Sequence, residues 1–280
     1  MELRGWEGMQ TDCLVNIFSR LGLEDLITAV SFVCRSWNQA SFDPLCQRIL
    51  DFRYLDFNSS SPLALALSVP RLSFSGFFKL ALDHAHGAAV DLRFPSHFSV
   101  SKQDLSLASD ECPKLRNLIL PRVESEDEEQ LLKAISKWKE LEVLEMESKP
   151  SILAEMVKQI GIHCNKFKGL KLRGSIKKED AAAIVGCLPN LEWLDLSSCR
   201  LGRGELLAIV DGCRHLKRLS VRDCTGFEVD EEVKKRASGI ELFEHEGSTI
   251  EDVCEAEDDG YVSLEQMLMY YDDCYEMWLL

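Results

Sequence analysis

The sequence predicts an α/β chain in two parts: a helical module at the amino end, then a solenoid with a parallel concave sheet and convex helices. Three observations lead to this fold class. A short leucine motif recurs at nearly constant spacing, helix-like segments separate its copies, and the first 50 residues show helical periodicity instead. A strand–helix unit cannot bury its own apolar face, so stacked units are expected to share one continuous core.

The amino-terminal module covers residues 4–50 and contains two amphipathic helical faces. Apolar residues at positions i, i+3, i+4 and i+7 predict the first face, made of Leu14, Ile17, Phe18 and Leu21. Residues at i, i+4, i+7 and i+11 predict the second, made of Leu26, Val30, Val33 and Trp37. After a turn at Asp43–Pro44, residues 45–52 are predicted as a third helical segment. So small a module buries too little surface to be very stable alone, so it needs a partner or the neighbouring domain.

A connecting segment, residues 51–71, leads to a repeat array over residues 72–250. The repeated motif has the form LxxLxL, and its five clear copies begin at Leu115, Leu141, Phe167, Leu191 and Leu216. These starts are 26, 26, 24 and 25 residues apart. Weaker copies begin at Ala89 and Ile240, so about seven repeats are expected in all. Because strand side chains alternate, residues one, four and six of each motif are predicted to point inward.

The residues between the motifs extend the pattern. The intervening segments carry apolar residues at helical spacing, such as Leu131, Leu132 and Ile135. Three residues before each motif stands a residue able to sit inside; these are Cys112, Trp138, Cys164, Leu188, Cys213 and Ala237. In two copies, Cys199 and Cys224 follow the strand. The array therefore resembles the cysteine-containing subclass of leucine-rich repeats, although the earlier copies lack this cysteine.

The amino-terminal module also resembles a known family. The resemblance rests on Trp6, the segment from Asp12 to Leu21, Asp25-Leu26, Val33-Cys34-Arg35-Ser36-Trp37 and Asp43-Pro44-Leu45, which together look like an F-box. One departure is Met9-Gln10, where the family usually has Leu-Pro. Since Pro would pre-set the backbone before the first helix, its absence is expected to weaken adaptor binding. With both parts in this order, the chain is similar to plant-type F-box/leucine-rich-repeat proteins.

This resemblance implies a substrate receptor. In that family the F-box docks onto a Skp-family adaptor, and through it a cullin, in an SCF-type cullin–RING E3 ubiquitin ligase. The repeats then capture the protein to be ubiquitinated, while catalysis belongs to other subunits. By family pattern, one set of residues divides between F-box core and adaptor contact, and the sequence does not sort its members. They are Leu14, Ile17, Phe18, Leu21, Leu26, Val30, Val33, Cys34 and Trp37.

A second function class stays open: a protein–protein interaction scaffold that is not part of a ligase, whose amino-terminal module only caps the array. The two classes differ in what covers the apolar faces around Leu14 and Trp37. Complete packing of these faces against residues 72–95 would favour the scaffold, whereas partial exposure would favour an adaptor site.

The outward-facing residues of the concave strands form the candidate substrate-binding site. Trp193 stands out, because an outward-facing Trp is a typical interface anchor. Lysine and arginine side chains are expected to form a basic patch around it, opposite an acidic edge at Glu145 and Glu147. The candidate residues are Lys171, Arg173, Trp193, Asp195, Arg218 and Arg222. The competing interpretation is that Trp193 is structural, covered by the tail or a neighbouring side chain.

Charge and composition argue against other functions. The net charge is −15, and residues 240–280 contain thirteen Asp or Glu and no Lys or Arg, so nucleic acid is not an expected partner. No apolar stretch is long enough to span a membrane, and the amino end does not have the pattern of a secretory signal. The eleven cysteines are expected to be reduced thiols of a protein in the cytoplasm and/or nucleus. The scattered histidines match no metal or catalytic motif, so no enzyme activity, cofactor or metal is expected.

The acidic and aromatic tail, residues 251–280, has two interpretations. Leu264, Leu268, Tyr271 and Tyr275 fit one helical face. The segment either caps the last repeat or folds across the concave patch. Because terminal repeats need a cap, the sequence favours the first.

Overall fold

The computed structural model describes residues 6–58, 61–67 and 72–250. Within these ranges a helical module precedes alternating strands and helices, and all paired strands run parallel, which confirms the predicted fold class. No helix in the described ranges is long and apolar enough to cross a membrane. Both interpretations of the tail concern residues 251–280, which lie outside the described residues.

The strands form two parallel sheets. The main sheet contains β1 (Ile49–Asp51), β2 (Asp91–Arg93), β3 (Asn117–Leu120), β4 (Val143–Met146), β5 (Gly169–Lys171), β7 (Trp193–Asp195), β9 (Arg218–Ser220) and β10 (Leu242–Glu244). The second sheet contains β6 (Ser175–Ile176) and β8 (Arg200–Leu201). In the main sheet each strand pairs with its neighbours in chain order, and β6 and β8 pair separately.

The helices divide between the module and the array. The module contains α1 (Thr11–Phe18), α2 (Leu23–Asp25), a π-helical turn (Leu26–Val30), α3 (Ser31–Val33) and α4 (Arg35–Ser41). The connecting segment contains α5 (Pro62–Ala66). The array contains α6 (Phe74–Ala85), α7 (Lys102–Glu111), α8 (Glu128–Ile135), α9 (Leu153–His163), α10 (Lys178–Cys187), α11 (Arg203–Gly212) and α12 (Glu231–Arg236).

The repeat register is confirmed by the strand pairing. Every strand of the main sheet from β2 to β9 places one leucine at the same height, facing the core. These leucines are Leu92, Leu118, Leu144, Leu170, Leu194 and Leu219, all at most 1% exposed. The two weak copies are also strands, although Phe243 in the last one is only partly buried. The six residues predicted to sit inside before each motif are all buried.

The third predicted helical segment is wrong, because residues 45–48 form a turn and Ile49–Asp51 form strand β1. Leu50 is fully buried and pairs with Leu92 of β2, while Ile49 and Asp51 face the other side. Ile49 stands 42 residues before its partner Asp91. A search at a period of 24 to 26 residues therefore misses this strand. Phe52, Leu55 and Leu63 of the connecting segment also lie in the repeat core.

The second predicted helical face is also corrected, because the helix is interrupted at Cys34. This residue has φ −162° and ψ 173°, an extended conformation that ends α3 and precedes α4. Val33 and Trp37 consequently lie on different helices. The i, i+4, i+7, i+11 pattern does not continue across the break.

The module has a core of its own. Leu14, Val15, Phe18, Leu26, Val30, Ala40 and Cys46 form this small cluster, and Met9 and Trp37 pack against it. Two further module residues, Leu23 and Ile27, belong instead to the large core of the repeats. The same short helical run thus contributes to both cores.

Candidate functional site

The nine module residues predicted as core or contact separate by burial. Leu14, Phe18, Leu26 and Val30 are buried in the module core. Cys34 and Trp37 are half-buried, and Ile17, Leu21 and Val33 are exposed. On α1, Leu14 and Phe18 face inward whereas Ile17 faces out, and Leu21 lies beyond the end of this helix, so the predicted first face is only partly formed.

Two aromatic residues extend the exposed apolar surface of the module. Trp6 is 63% exposed and Phe32 is 69% exposed. Trp6 was part of the motif, but Phe32 was not singled out from the sequence. The signal was available in Phe32-Val33, two apolar residues directly before the helix break. We call Trp6, Ile17, Phe32 and Val33 the module face.

Trp37 connects the module core to the module face. Its ring makes edge-to-face contacts with Phe18, at a centroid distance of 5.1 Å, and with Trp6, at 6.3 Å. Its indole Nε1 donates a hydrogen bond of 3.5 Å to the backbone oxygen of Trp6. These contacts hold the Trp6 backbone, and the exposed ring it carries, against the module.

The Met9-Gln10 departure leaves the start of α1 intact. Gln10 has φ −62° and ψ 141°, and this φ is close to the value that a proline ring imposes. Met9 packs against the module core. The backbone at Gln10 is therefore compatible with the proline that usually stands at this position.

The concave face of the sheet carries the second set of candidate residues. Trp193 pairs in register with Gly169 of β5 on one side and with Arg218 of β9 on the other. A Cβ atom placed on Gly169 would lie 2.7 Å from Cε3 of Trp193 and 3.1 Å from Cγ2 of Val143. The indole ring therefore lies over the glycine. This position explains why Trp193 is half-buried although the concave face of the sheet is open.

The expected basic patch around Trp193 is reduced, because two of its four cations, Lys171 and Arg222, are paired with carboxylates. Lys171 lies between Glu145 and Asp195, with each N–O distance 3.7 Å, and Arg222 pairs with Glu244 at 2.9 Å. Neighbouring strands of a parallel sheet are about 4.8 Å apart, so opposite charges at one height neutralise each other. Of the candidate cations, Arg173 and Arg218 make no ion pair with any described residue.

A second row of charges, just before the strands, was missed by the sequence analysis. It alternates in sign from repeat to repeat: Arg116, Glu142, Lys168, Glu192, Lys217 and Glu241. Lys168 pairs with Glu142, Lys217 with Glu192 at 2.9 Å, and Arg116 with Glu142 at 3.7 Å. The signal was present as opposite charges one repeat period apart.

The repeat cysteines are structural donors. The thiol of Cys199 donates to the backbone oxygen of Leu172 at 3.3 Å, and that of Cys224 to Leu196 at 3.0 Å. In the last described repeat the Ser248 hydroxyl takes this role, donating to Val221 at 2.5 Å. Burial raises the pKa of Cys199 to about 12 and of Cys224 to about 11, so both thiols stay protonated at neutral pH.

Comparisons with known proteins agree with both parts of the chain. A family model described as F-box-like matches residues 11–51. An F-box/LRR-repeat protein of Arabidopsis thaliana is 31% identical over 226 residues, which cover 78% of this chain and 72% of the relative. Putative F-box/LRR-repeat protein 22 of the same plant is 31% identical over 228 residues, covering 78% and 69%.

More distant similarities also occur. Putative F-box/LRR-repeat protein 23 of Arabidopsis thaliana is 28% identical over 244 residues, and this chain spans about half (51%) of its length. Among solved structures, an internalin from Listeria monocytogenes is 14% identical with a TM-score of 0.36, covering 62% of this chain and 59% of that chain. That likeness is too weak to bear on function. From its F-box-like module, its leucine-rich repeats and these relatives, the chain belongs to the F-box/LRR-repeat proteins.

Proposed function

We propose that this chain is the substrate-recognition subunit of an SCF-type cullin–RING E3 ubiquitin ligase. Its module docks a Skp-family adaptor, which in turn binds a cullin, and its repeats hold the substrate protein. The chain itself is not catalytic and acts by proximity, in the cytoplasm or nucleus. The observation that carries the proposal is the module face, which leaves Trp6, Phe32 and Val33 more than half exposed.

The alternative, a scaffold whose module only caps the array, explains this surface less well. The module does contact the array: Leu23 and Ile27 enter the repeat core, and the ring of Phe42 meets His84 of α6 at 4.6 Å. A cap needs only these contacts. It does not require the solvent-exposed Trp6, Phe32 and Val33, and exposed apolar surface is a feature of interaction sites.

We propose a functional boundary close to Ile49. Residues before it form the docking module, and the substrate-binding part begins with β1, because Leu50, Phe52, Leu55 and Leu63 belong to the repeat core. Residues 251–280 remain a separate part of the chain, the acidic and aromatic tail.

We further propose that the substrate binds the concave face around Trp193. The candidate residues on strands β5, β7 and β9 and just after them are Lys171, Arg173, Trp193, Asp195, Arg218 and Arg222. A half-exposed Trp among charged side chains combines an apolar anchor with polar groups that set orientation.

The adaptor role is tested by substitutions on the module face. The full chain is co-expressed with a Skp-family adaptor and captured by affinity, and the Kd is measured for the wild type, Phe32→Asp and Val33→Asp. Each variant is expected to weaken binding by roughly 30-fold or more, because a charge replaces an apolar interface side chain. The side chains are exposed, so the melting temperature should not change.

Ile162→Asp is the matched control for these variants. Ile162 is 57% exposed on α9, so the substitution places the same charge on an equally exposed apolar residue of the convex side. It should leave adaptor binding unchanged. Wild-type affinity in both Phe32→Asp and Val33→Asp, or no binding by the wild-type chain, would favour the scaffold alternative.

A further inference from the structure

We propose that the concave face at β5, β7 and β9 recognises an acidic segment of a partner protein through one large apolar side chain and a neighbouring Asp or Glu. The apolar side chain packs against Trp193, and the carboxylate pairs with Arg218. This inference rests on the proposed substrate-binding function and names the chemistry of its ligand.

A cleft of about 380 Å³ lies beside Trp193, and its apolar part is formed by Val143, Gly169 and Trp193, while Lys168, Glu192, Lys217, Arg218 and Glu241 line the rest. Its floor is formed where Val143 and the indole ring meet over Gly169. Both side chains are half-buried, so apolar surface remains open to a partner. The ring occupies the space that a side chain at position 169 would fill, so the glycine leaves room for this orientation. A preformed aromatic anchor of this kind lowers the entropy lost on binding.

The polar half of the site is identified by asking which charged side chains near the cleft already have a partner of opposite charge. In the row of alternating charges along the cleft, Lys168 is paired with Glu142 and Lys217 with Glu192, whereas Glu241 makes no ion pair with any described residue. On the other side, Asp195 is held by Lys171 and by the backbone N–H of Ser197 at 2.9 Å. Arg218 lies between these rows, exposed and without a carboxylate partner among the described residues.

The two halves are close enough to read adjacent residues of one peptide. The backbones of Trp193 and Arg218, register partners on neighbouring strands, are about 4.8 Å apart, and the indole ring extends from there over β5. Successive residues of an extended chain are about 3.8 Å apart. A peptide crossing the strands therefore presents an apolar residue to Trp193 and its neighbour to Arg218. A lysine at the second position would leave Arg218 facing a like charge, so the pairing also selects against basic segments.

The test uses nine-residue peptide pools with a fixed central pair and random flanks. The pairs are Phe-Asp, Phe-Lys, Ser-Asp and Phe-phosphoserine, and binding to the full chain is measured by fluorescence polarisation. The Phe-Asp pool is expected to bind about tenfold tighter than either Phe-Lys or Ser-Asp, the order expected for one anchor or one charge pair. Equal binding of these three pools overturns the inference. Phe-phosphoserine binding tenfold tighter than Phe-Asp also overturns it, in favour of a phosphorylated ligand.

Substitutions locate the two contacts. Arg218→Glu should abolish the preference for Asp over Lys, and Trp193→Ala the preference for Phe over Ser. Gly169→Ala should also remove the preference for Phe, because its Cβ displaces the ring while the Trp remains. Lys178→Glu, an equal charge change at an exposed residue of α10, should alter neither preference. Wild-type selectivity in Arg218→Glu or in Gly169→Ala contradicts the assignment.

Failure of this inference is separable from failure of the proposed function. Each variant is also tested for capture of the Skp-family adaptor, which should be unaffected because the substitutions lie outside the module. Intact adaptor binding without peptide discrimination overturns only the ligand chemistry. Peptide discrimination without adaptor binding overturns the proposed ligase role but still supports the proposed recognition site.

Discussion

Individual buried polar side chains connect one repeat to the next. Glu128, the first residue of α8, is only 4% exposed. It accepts hydrogen bonds from the backbone N–H of Ser151 at 2.6 Å and from its hydroxyl at 2.5 Å, just before α9 begins. Lys149 similarly donates to the buried carboxylate of Asp180 at 3.0 Å. At this scale the array is held by specific pairs as well as by its leucines.

Glu128→Ala should therefore lower the free energy of unfolding by about 2 kcal/mol, since it removes two charge-assisted hydrogen bonds at a buried site. Glu129→Ala is the control: the residue follows directly in the same first turn of α8 but is exposed. It should change stability by less than about 0.5 kcal/mol. Urea unfolding monitored by circular dichroism measures both. Equal effects would mean that the Ser151 contact contributes nothing.

At the scale of elements, glycines set how closely the convex helices approach. A Cβ on Gly161 of α9 would lie 2.3 Å from the backbone oxygen of Cys187, and one on Gly212 of α11 would lie 2.3 Å from Cγ1 of Val185. Both contacts are on α10, which is therefore packed closely from both sides. A side chain at either glycine would therefore force the neighbouring helix away from α10.

Gly161→Ala should destabilise the chain by about 1–3 kcal/mol, because the methyl group overlaps a backbone oxygen that cannot move freely. Gly186→Ala provides a contrast within α10, where a Cβ would meet nothing within 4 Å. That substitution should stabilise by about 0.5 kcal/mol, since alanine loses less backbone entropy in a helix. The midpoints of urea unfolding should shift in opposite directions; a stabilised Gly161→Ala would contradict the close packing.

At the scale of the whole described chain, the module and the array are joined through one short helical run. Leu23 and Ile27 are buried in the repeat core, whereas Leu26 and Val30 are buried in the module core. Deleting the module would therefore also remove two side chains from the array. Point substitutions on the module face are the cleaner test of adaptor binding for this reason.

Leu26→Ala and Ile27→Ala should consequently differ, although the residues are adjacent. Each leaves a cavity costing about 2–5 kcal/mol, but in a different core. Hydrogen exchange should accelerate mainly in α1 and α4 for Leu26→Ala, and also in β1 and α6 for Ile27→Ala. Identical exchange patterns in the two variants would show that the cores unfold as one unit.

Much of this organisation is readable from residue patterns. The LxxLxL motif predicts which leucines point inward, because side chains of a strand alternate between its two sides. Leu118, Leu144 and Leu170 are all buried, as predicted. The F-box resemblance identified the amino-terminal module, which the F-box-like family model matches over residues 11–51. Helical spacing failed at two places: at Cys34, where the chain becomes extended, and at residues 45–52, where β1 forms.

What the pattern could not supply depends on contacts between residues distant in sequence. Strand β1 exists because Leu50 pairs with Leu92 across 42 residues, outside the repeat period. Lys171 is neutralised because Glu145 and Asp195 come to the same height on both sides, which removes one cation from the expected basic patch. Linear periodicity specifies which side of an element faces the core, since that is a local property of backbone geometry. Pairing of charges and the exposure of Phe32, Val33 and Trp193 depend on which neighbours the fold brings alongside them.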